Sequence, residues 1–214
     1  NVTLASCNVY DVASDSSNVY ACGYKYTTSA IGTVLPATTG TASFIAKYDS
    51  SNSFLFSAVL ESSKGAISVT TYGSSVYIAG TCSSGAILKD TSGSTLKTFP
   101  TTTSDSAFLL KLDATTGAYS FLRLVTPGTG AGVTVDSYGA IFFSGSYTGS
   151  SAVVTDDTTT LATLPVPGPG LSRAFMVAFT NSGAYDYVAF VDKNTTSEGQ
   201  SVAISSNRIY LSGV

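Results

Sequence analysis

The sequence has no histidine and no tryptophan, and it has few charged residues. Charged side chains make up 11% of the 214 residues, against roughly 25% in an average soluble protein. Without histidine the chain lacks the commonest general base and metal ligand, and it cannot form a Ser-His-Asp triad. Its apolar runs are far shorter than the roughly 20 residues of a membrane-spanning helix, so we expect no membrane-spanning segment. The ten Lys and Arg form no basic stripe, so we expect no nucleic-acid partner.

Three cysteines and two glycosylation patterns indicate the compartment. Cys7, Cys22 and Cys82 form no CxxC pair, which argues against a zinc site and allows at most one intrachain disulfide. Cys7 and Cys22 could pair across a hairpin, or the thiols could be buried as small apolar groups. Asn1 and Asn194 each begin an Asn-x-Thr acceptor pattern for N-glycosylation. With 64 Ser and Thr residues, these features are typical of secreted surface proteins, so we expect an extracellular glycoprotein.

One five-residue pattern occurs four times and ends in glycine each time. The copies cover residues 19–23, 76–80, 141–145 and 209–213, with glycine-to-glycine spacings of 57, 65 and 68 residues. Each copy follows a short apolar run and a polar turn, which predicts a β-hairpin. The final residue of each copy, called here the landmark glycine, is expected at a β-bulge or a close backbone approach.

A second pattern falls between successive hairpins, over residues 43–49, 107–113 and 174–180, and predicts another hairpin in each repeat. The repeat is therefore four strands long. We expect a single β-repeat domain over 1–214, with approximate repeats at 8–64, 65–129 and 130–198 and a partial repeat at 199–214. Segments rich in Ser, Thr, Gly and Pro join the hairpins at 27–41, 83–105 and 148–172. Helical spacing of apolar residues is absent, so the chain is expected to be all-β.

Several strands are apolar on both faces, as in residues 108–110 and 141–143. A strand covered on one face alone would alternate apolar and polar residues. Covering both faces of a four-stranded antiparallel sheet is what neighbouring blades do in a β-propeller. The sequence thus predicts a β-propeller-like array of about three and a half blades. Because propellers typically close with four to eight blades, we expect part of a larger propeller or repeat chain, or strands supplied by another molecule.

Two ordered motifs in neighbouring repeats carry a family resemblance. Residues 133–146 read Val-x-Val-Asp-x-x-Gly-x-Ile-Phe-Phe-Ser-Gly-Ser, and residues 105–117 read Asp-x-Ala-Phe-x-x-Lys-x-Asp-x-x-Thr-Gly. Together they resemble the bacterial β-propeller repeat family called SBBP, over nearly the whole chain. The third copy departs from the pattern, with Ala178 where the others have Lys47 and Lys111, and Thr180 in place of Asp113. The resemblance implies a secreted or surface-anchored protein and carries no defined catalytic residue.

Carboxylates are the candidate catalysts that remain. Glu61 and Glu198 both precede the first strand of a repeat, and a glycoside hydrolase needs two carboxyl groups, one with a raised pKa. The alternative is that both are solvated loop residues. Asp156 and Asp157 could offer oxygens to Ca²⁺, but no calcium-loop pattern supports a site there. Most other aspartates lie in turns, where they accept hydrogen bonds from their own backbone; these are Asp15, Asp49, Asp113 and Asp136. We expect no metal, cofactor or catalytic residue.

Tyrosines supply the candidate contact site. Tyr20 and Tyr77 recur at equivalent strand positions, which favours packing in the core. Tyr24, Tyr26 and Tyr147 lie just beyond a landmark glycine and are expected on an exposed rim, where they could contact a glycan. The proline-rich run at 164–170 is expected to be a linker or a contact arm.

These features favour a secreted, non-enzymatic structural repeat protein of an extracellular appendage, filament or surface matrix. Its expected partner is a second copy in a homopolymer, or the continuation of a longer repeat chain. The first alternative is a carbohydrate-binding or adhesin module on the cell surface. The second is a glycoside hydrolase or lyase using Glu61 or Glu198.

Overall fold

The chain folds as an all-β protein built from antiparallel sheets, which confirms the predicted class. The computed structural model describes residues 6–191, 196–205 and 208–214, and in these ranges it contains strands and no helix. Within the same ranges there is accordingly no helix long and apolar enough to cross a membrane. The strands are β1 (Cys7–Ser14), β2 (Asn18–Lys25), β3 (Ala42–Asp49), β4 (Phe54–Tyr72), β5 (Ser75–Asp90), β6 (Thr95–Thr98), β7 (Ser106–Asp113), β8 (Tyr119–Thr126), β9 (Thr129–Val135), β10 (Ile141–Thr148), β11 (Val153–Thr155), β12 (Thr160–Thr163), β13 (Ser172–Phe179), β14 (Tyr185–Phe190), β15 (Gly199–Ser205) and β16 (Arg208–Gly213).

The described strands form three successive units of two hairpins each, followed by a fourth unit of one hairpin. Unit 1 consists of β1, β2, β3 and residues 54–61 of β4, paired in that order. Unit 2 consists of residues 63–72 of β4, residues 75–82 of β5, β7 and β8. Unit 3 consists of β9, β10, β13 and β14, and unit 4 is the hairpin of β15 and β16. The four hairpins predicted around the landmark glycines are confirmed. The described strands do not close into a barrel or ring.

Apolar clusters fill the space where the faces of consecutive units meet. Tyr20 and Ile45 of unit 1 pack in one cluster with Phe108 of unit 2, and Leu109 of unit 2 packs in another with Phe143 of unit 3. A smaller cluster joins units 3 and 4. Adjacent residues of a strand therefore enter different clusters, because successive side chains point to opposite faces. This explains the strands that are apolar on both faces.

The landmark glycine of every unit lies beside a β-bulge, as predicted. The pairing of each landmark hairpin skips one residue of the first strand; the skipped residues are Tyr10, Ile67, Ala131 and Gln200. A Cβ atom on the landmark glycine would lie 1.9 to 2.1 Å from the carbonyl oxygen of the residue that precedes its partner. Any side chain would collide with this oxygen, so the bulge requires glycine at all four positions.

The segments that join the two hairpins of units 2 and 3 add strands to the preceding unit. In unit 2, residues 87–90 of β5 pair with residues 58–61 of β4, and β6 pairs with β5. In unit 3, β11 pairs with β8, and β12 pairs with β11. Lys97 on β6 donates to Asp157 in the turn after β11, at 2.6 Å, and so links the two added hairpins. Units 1 and 2, and likewise units 2 and 3, are thus joined along a strand edge as well as through their faces.

Candidate functional site

Three tyrosines and one asparagine meet at the exposed end of the first hairpin and form what we call the tyrosine cluster (Asn8, Tyr10, Tyr24 and Tyr26). The Asn8 side-chain amide donates to the Tyr26 hydroxyl at 2.7 Å, and the Tyr10 and Tyr26 hydroxyls lie 3.3 Å apart. The rings of Tyr24 and Tyr26 meet edge to face, with centroids 5.0 Å apart. Tyr24 donates to Thr41 at 2.6 Å, which fixes its ring against the segment before β3.

The tyrosine cluster combines exposed aromatic rings with hydrogen-bonding groups at its edge. Tyr10 and Tyr26 are exposed, and the hydrogen bond with Tyr10 raises the pKa of Tyr26. Aromatic side chains that offer an apolar body and a polar handle suit ligands with one apolar face and peripheral hydroxyls, such as sugars. Of the two tyrosines predicted on an exposed rim, Tyr26 is exposed and Tyr24 is half-buried, and their contact with a glycan stays a prediction. Sequence patterns did not predict Asn8 or Tyr10 as part of the site. For Tyr10 the reason is that the bulge that brings it to Tyr26 leaves no periodic signal in the sequence.

Tyr147 does not belong to an exposed rim, and that prediction is wrong. Its side chain is buried, and its hydroxyl donates to the carbonyl oxygen of Pro165 at 2.8 Å. The physical reason is that the segment joining the hairpins of unit 3 folds back over it. Leu164, at the start of the proline-rich run, is itself buried in the cluster that contains Tyr147. Tyr20 and Tyr77 are buried in the core, as predicted.

All three cysteines are free thiols, so the Cys7–Cys22 disulfide is not formed. In the first hairpin Cys7 pairs with Lys25, whereas Cys22 pairs with Asp11, so the two cysteines are not opposite each other. Cys22 and Cys82 are buried, and burial raises the pKa of each thiol to about 12. Thiols of this kind are unreactive at neutral pH. They match the alternative interpretation of buried cysteines as small apolar groups.

Glu61 is buried within β4, so the interpretation of this residue as a solvated loop residue is wrong. Its carboxylate accepts from the Lys89 ammonium at 2.9 Å and from the Thr39 N–H at 2.7 Å. Burial acts to raise the pKa of Glu61, but these two partners outweigh it and the pKa lies below its ordinary value. A glycosidase general acid needs a shift in the opposite direction. Glu198 is exposed just before β15, and no hydrogen bond between described side chains joins it to Glu61.

The turn aspartates are occupied by their own backbones, as predicted for Asp15, Asp49, Asp113 and Asp136. One carboxylate oxygen of each accepts two N–H groups of its own turn, and Asp156 does the same. For Asp15, burial acts to raise the pKa, but hydrogen bonds from Ser17, Asn18 and Tyr20 bring it down to about 2. In the described ranges no group of three or more His, Cys, Asp or Glu side chains could hold a metal ion.

Two lysines tie consecutive units together at equivalent positions. Lys47 of unit 1 donates to the carbonyl oxygen of Ala114 in unit 2 at 2.6 Å, and Lys111 of unit 2 donates to that of Asn181 in unit 3 at 2.8 Å. Each ammonium also lies 5.4 Å from the centre of a buried tyrosine ring of its own unit. Burial lowers the pKa of Lys111. In the sequence these lysines are recognisable only as part of a motif, and the structure gives them a role at the junctions between units.

The predicted glycosylation sites Asn1 and Asn194 lie outside the described residues. No protein-family model matches the chain, and no curated protein sequence is significantly similar to it. The contacts between the units and the tyrosine cluster are therefore the features of the chain that bear on its function.

Proposed function

We propose that this chain is a secreted, non-enzymatic structural protein of an extracellular appendage, filament or surface matrix. In this proposal its units are propeller-like blades related to the SBBP repeats, and the protein acts by self-association. The repeat pattern and the high Ser and Thr content support an extracellular role. The observation that carries the proposal is the repetition of one type of junction between units.

Each junction uses residues at equivalent positions. The valine that pairs with the third residue of the landmark pattern is buried against the preceding unit in all three cases, as Val69, Val133 and Val202. We call it the front valine, and the face that carries it the front face. Units that contact only their neighbours, always in the same direction, form an array that extends by repetition. This is the property that a structural filament requires.

The state of the carboxylates supports a non-enzymatic role. Glu61 is held in an ion pair with its pKa lowered, and a hydrolase would need a carboxyl group whose pKa is raised. A glycoside hydrolase or lyase using Glu61 or Glu198 is therefore the least favoured function. Turnover of a polysaccharide that is abolished by Glu61→Gln or Glu198→Gln would reverse this order.

Negative-stain electron microscopy of the native material, before any step that disrupts assemblies, tests the proposal. We expect fibres or sheets with an axial repeat near the size of one such chain. Isolated rings or discs would contradict it, because they would indicate a closed propeller acting as a separate module.

The tyrosine cluster supports a second candidate function, as a carbohydrate-binding or adhesin module. It offers exposed rings edged by the Asn8 amide and tyrosine hydroxyls. A glycan array tests it with Tyr26→Ala and the matched control Tyr138→Ala, since Tyr138 is an exposed tyrosine in a distant turn. Binding that is lost in Tyr26→Ala and kept in Tyr138→Ala would support this function. An array without hits, or equal binding by both variants, would exclude the cluster as the binding site.

A further inference from the structure

The front face of unit 1 is exposed at a position that is buried in every other unit. Its front valine, Val12, is 55% exposed, whereas Val69, Val133 and Val202 are 5%, 5% and 6% exposed. The hairpin register establishes the equivalence, because each of these valines pairs with the third residue of its landmark pattern. Unit 1 thus presents to solvent the residue type that forms every internal junction.

Two further residues of this face are exposed in unit 1 and buried at the equivalent positions of unit 2. Val9 and Val19 are exposed, and their equivalents in unit 2, Ala66 and Val76, are buried against unit 1. Together with Val12 they form an apolar patch of three exposed valines on one sheet face.

The segment between β2 and β3 does not cover these valines. Its residue Leu35 packs in one cluster with Phe44 on the other half of the front face. In unit 2, Phe99 covers the equivalent residue Phe108 in the same way, with ring centroids 6.3 Å apart. Because unit 2 has this cover and also a preceding unit, the cover and the neighbour occupy different halves of the face.

Unit 4 exposes the complementary surface at the other end of the array. The second residue of the landmark pattern points to the following unit; it is Tyr20, Tyr77 and Phe142 in units 1 to 3, with exposed fractions of 0%, 0% and 6%. Each of these rings lies in one cluster with the front valine of the next unit. The equivalent residue of unit 4 is Tyr210, which is 53% exposed.

We propose that the front face of unit 1 packs against Tyr210 of a second copy of this chain, so that copies join head to tail. This inference rests on the proposed function and names the surfaces through which it works. The contact continues a junction that the chain already makes three times, with an aromatic ring on one side and a valine on the other. Because the two surfaces are different, each added copy leaves one of each kind free, and the assembly grows as an open fibre.

Sedimentation velocity of the 214-residue chain over a concentration series tests the contact with Val12→Asp and Tyr210→Asp. Both side chains are exposed, so each variant is expected to melt like the wild type. Each should raise the dissociation constant of self-association at least ~10-fold, because a buried charge would face an apolar surface. The matched control is Tyr138→Asp, which changes an 81% exposed tyrosine in a turn and should leave assembly unchanged.

Mixing the two variants separates this contact from a symmetric one. Val12→Asp keeps an intact Tyr210 surface and Tyr210→Asp keeps an intact front face, so an equimolar mixture should form a 1:1 dimer and grow no further. A monomeric wild type, assembly of either variant like the wild type, or a mixture that stays monomeric would overturn the inference. If the native material forms fibres while both variants assemble normally, the inference fails and the proposed function stands. If the native material shows only discs, the proposed function itself fails.

Discussion

Replacing Gly80 with alanine puts a methyl group on top of a backbone atom. The new Cβ would lie 2.0 Å from the carbonyl oxygen of Gly65 and 2.9 Å from the Cα of Ala66. Both atoms belong to the backbone of β4, which is paired with β5, and Ala66 is buried in the cluster between units 1 and 2, so no side-chain rotation relieves the contact. Overpacking a well-packed site costs about 1–3 kcal/mol. We expect Gly80→Ala to lower the free energy of unfolding by about 3 kcal/mol, at the upper end of this range, because the colliding atom belongs to the backbone.

Thermal unfolding followed by circular dichroism measures this effect. For a chain of 214 residues, a loss of 1 kcal/mol lowers Tm by roughly 2–4 °C, so Gly80→Ala should lower it by roughly 6–12 °C. Gly40→Ala is the matched control, since no atom lies within 4 Å of its added Cβ, and it should change stability by less than about 0.5 kcal/mol. If Gly80→Ala melts within about 2 °C of the wild type, the bulged register of β4 and β5 is wrong.

Three other predictions concern charged groups. Lys111→Met keeps the side-chain length but removes the hydrogen bond to the Asn181 carbonyl oxygen, so we expect the free energy of unfolding in urea to fall by about 1–2 kcal/mol. Unchanged stability would mean that this contact between units 2 and 3 is dispensable. Lys89→Met leaves the buried Glu61 carboxylate without its cation and should lower the free energy of unfolding by roughly 2 kcal/mol. The loss is smaller than for a fully buried pair because the Lys89 side chain is 19% exposed. Adding Glu61→Gln to this variant should recover part of the loss, and no recovery would argue against the pairing. The pKa of Asp15 is 3.8 in the unfolded chain and about 2 in the folded protein, so the ionised side chain stabilises the fold above pH 3.8 and this contribution is lost as the pH falls toward 2. Tm should therefore fall between about pH 5 and pH 3, and it should fall less in Asp15→Asn. A wild-type Tm that is independent of pH in this window would contradict the assignment.

The hairpins were predictable because local signals define them. A short apolar run, a turn with Asp, Asn or Gly, and a landmark glycine lie within about 15 residues of one another, and each has a direct structural cause. The carbonyl oxygen that faces Gly80 explains why glycine recurs, and the turn N–H groups that bind Asp113 explain the recurring aspartate.

The segments between the hairpins were not predictable, because their contacts depend on distant residues. The stretch after Cys82 has a loop-like composition, yet residues 87–90 pair with β4 of the preceding unit. That pairing also buries Glu61, which looked like a loop residue at a repeat boundary. The burial of Tyr147 has the same origin, since the chain near Pro165 returns to cover it.

The candidate site was predictable only in part. Tyr24 and Tyr26 could be located because both follow the landmark glycine Gly23 closely, Tyr24 within β2 and Tyr26 just after that strand. Tyr10 could not, because a bulge shifts its register by one residue and turns it toward Tyr26. The exposed front face of unit 1 was also invisible in the sequence, because Val12 resembles its buried equivalents in type and changes only in its surroundings.

A cryo-electron microscopy reconstruction of the native assembly would test the proposed stacking of units most directly. We expect Val12 of one copy to be buried against Tyr210 of the next, with the copies following one another in a single direction along the fibre. A fibre in which Val12 stays exposed, or in which two front faces meet across a two-fold axis, would contradict head-to-tail stacking.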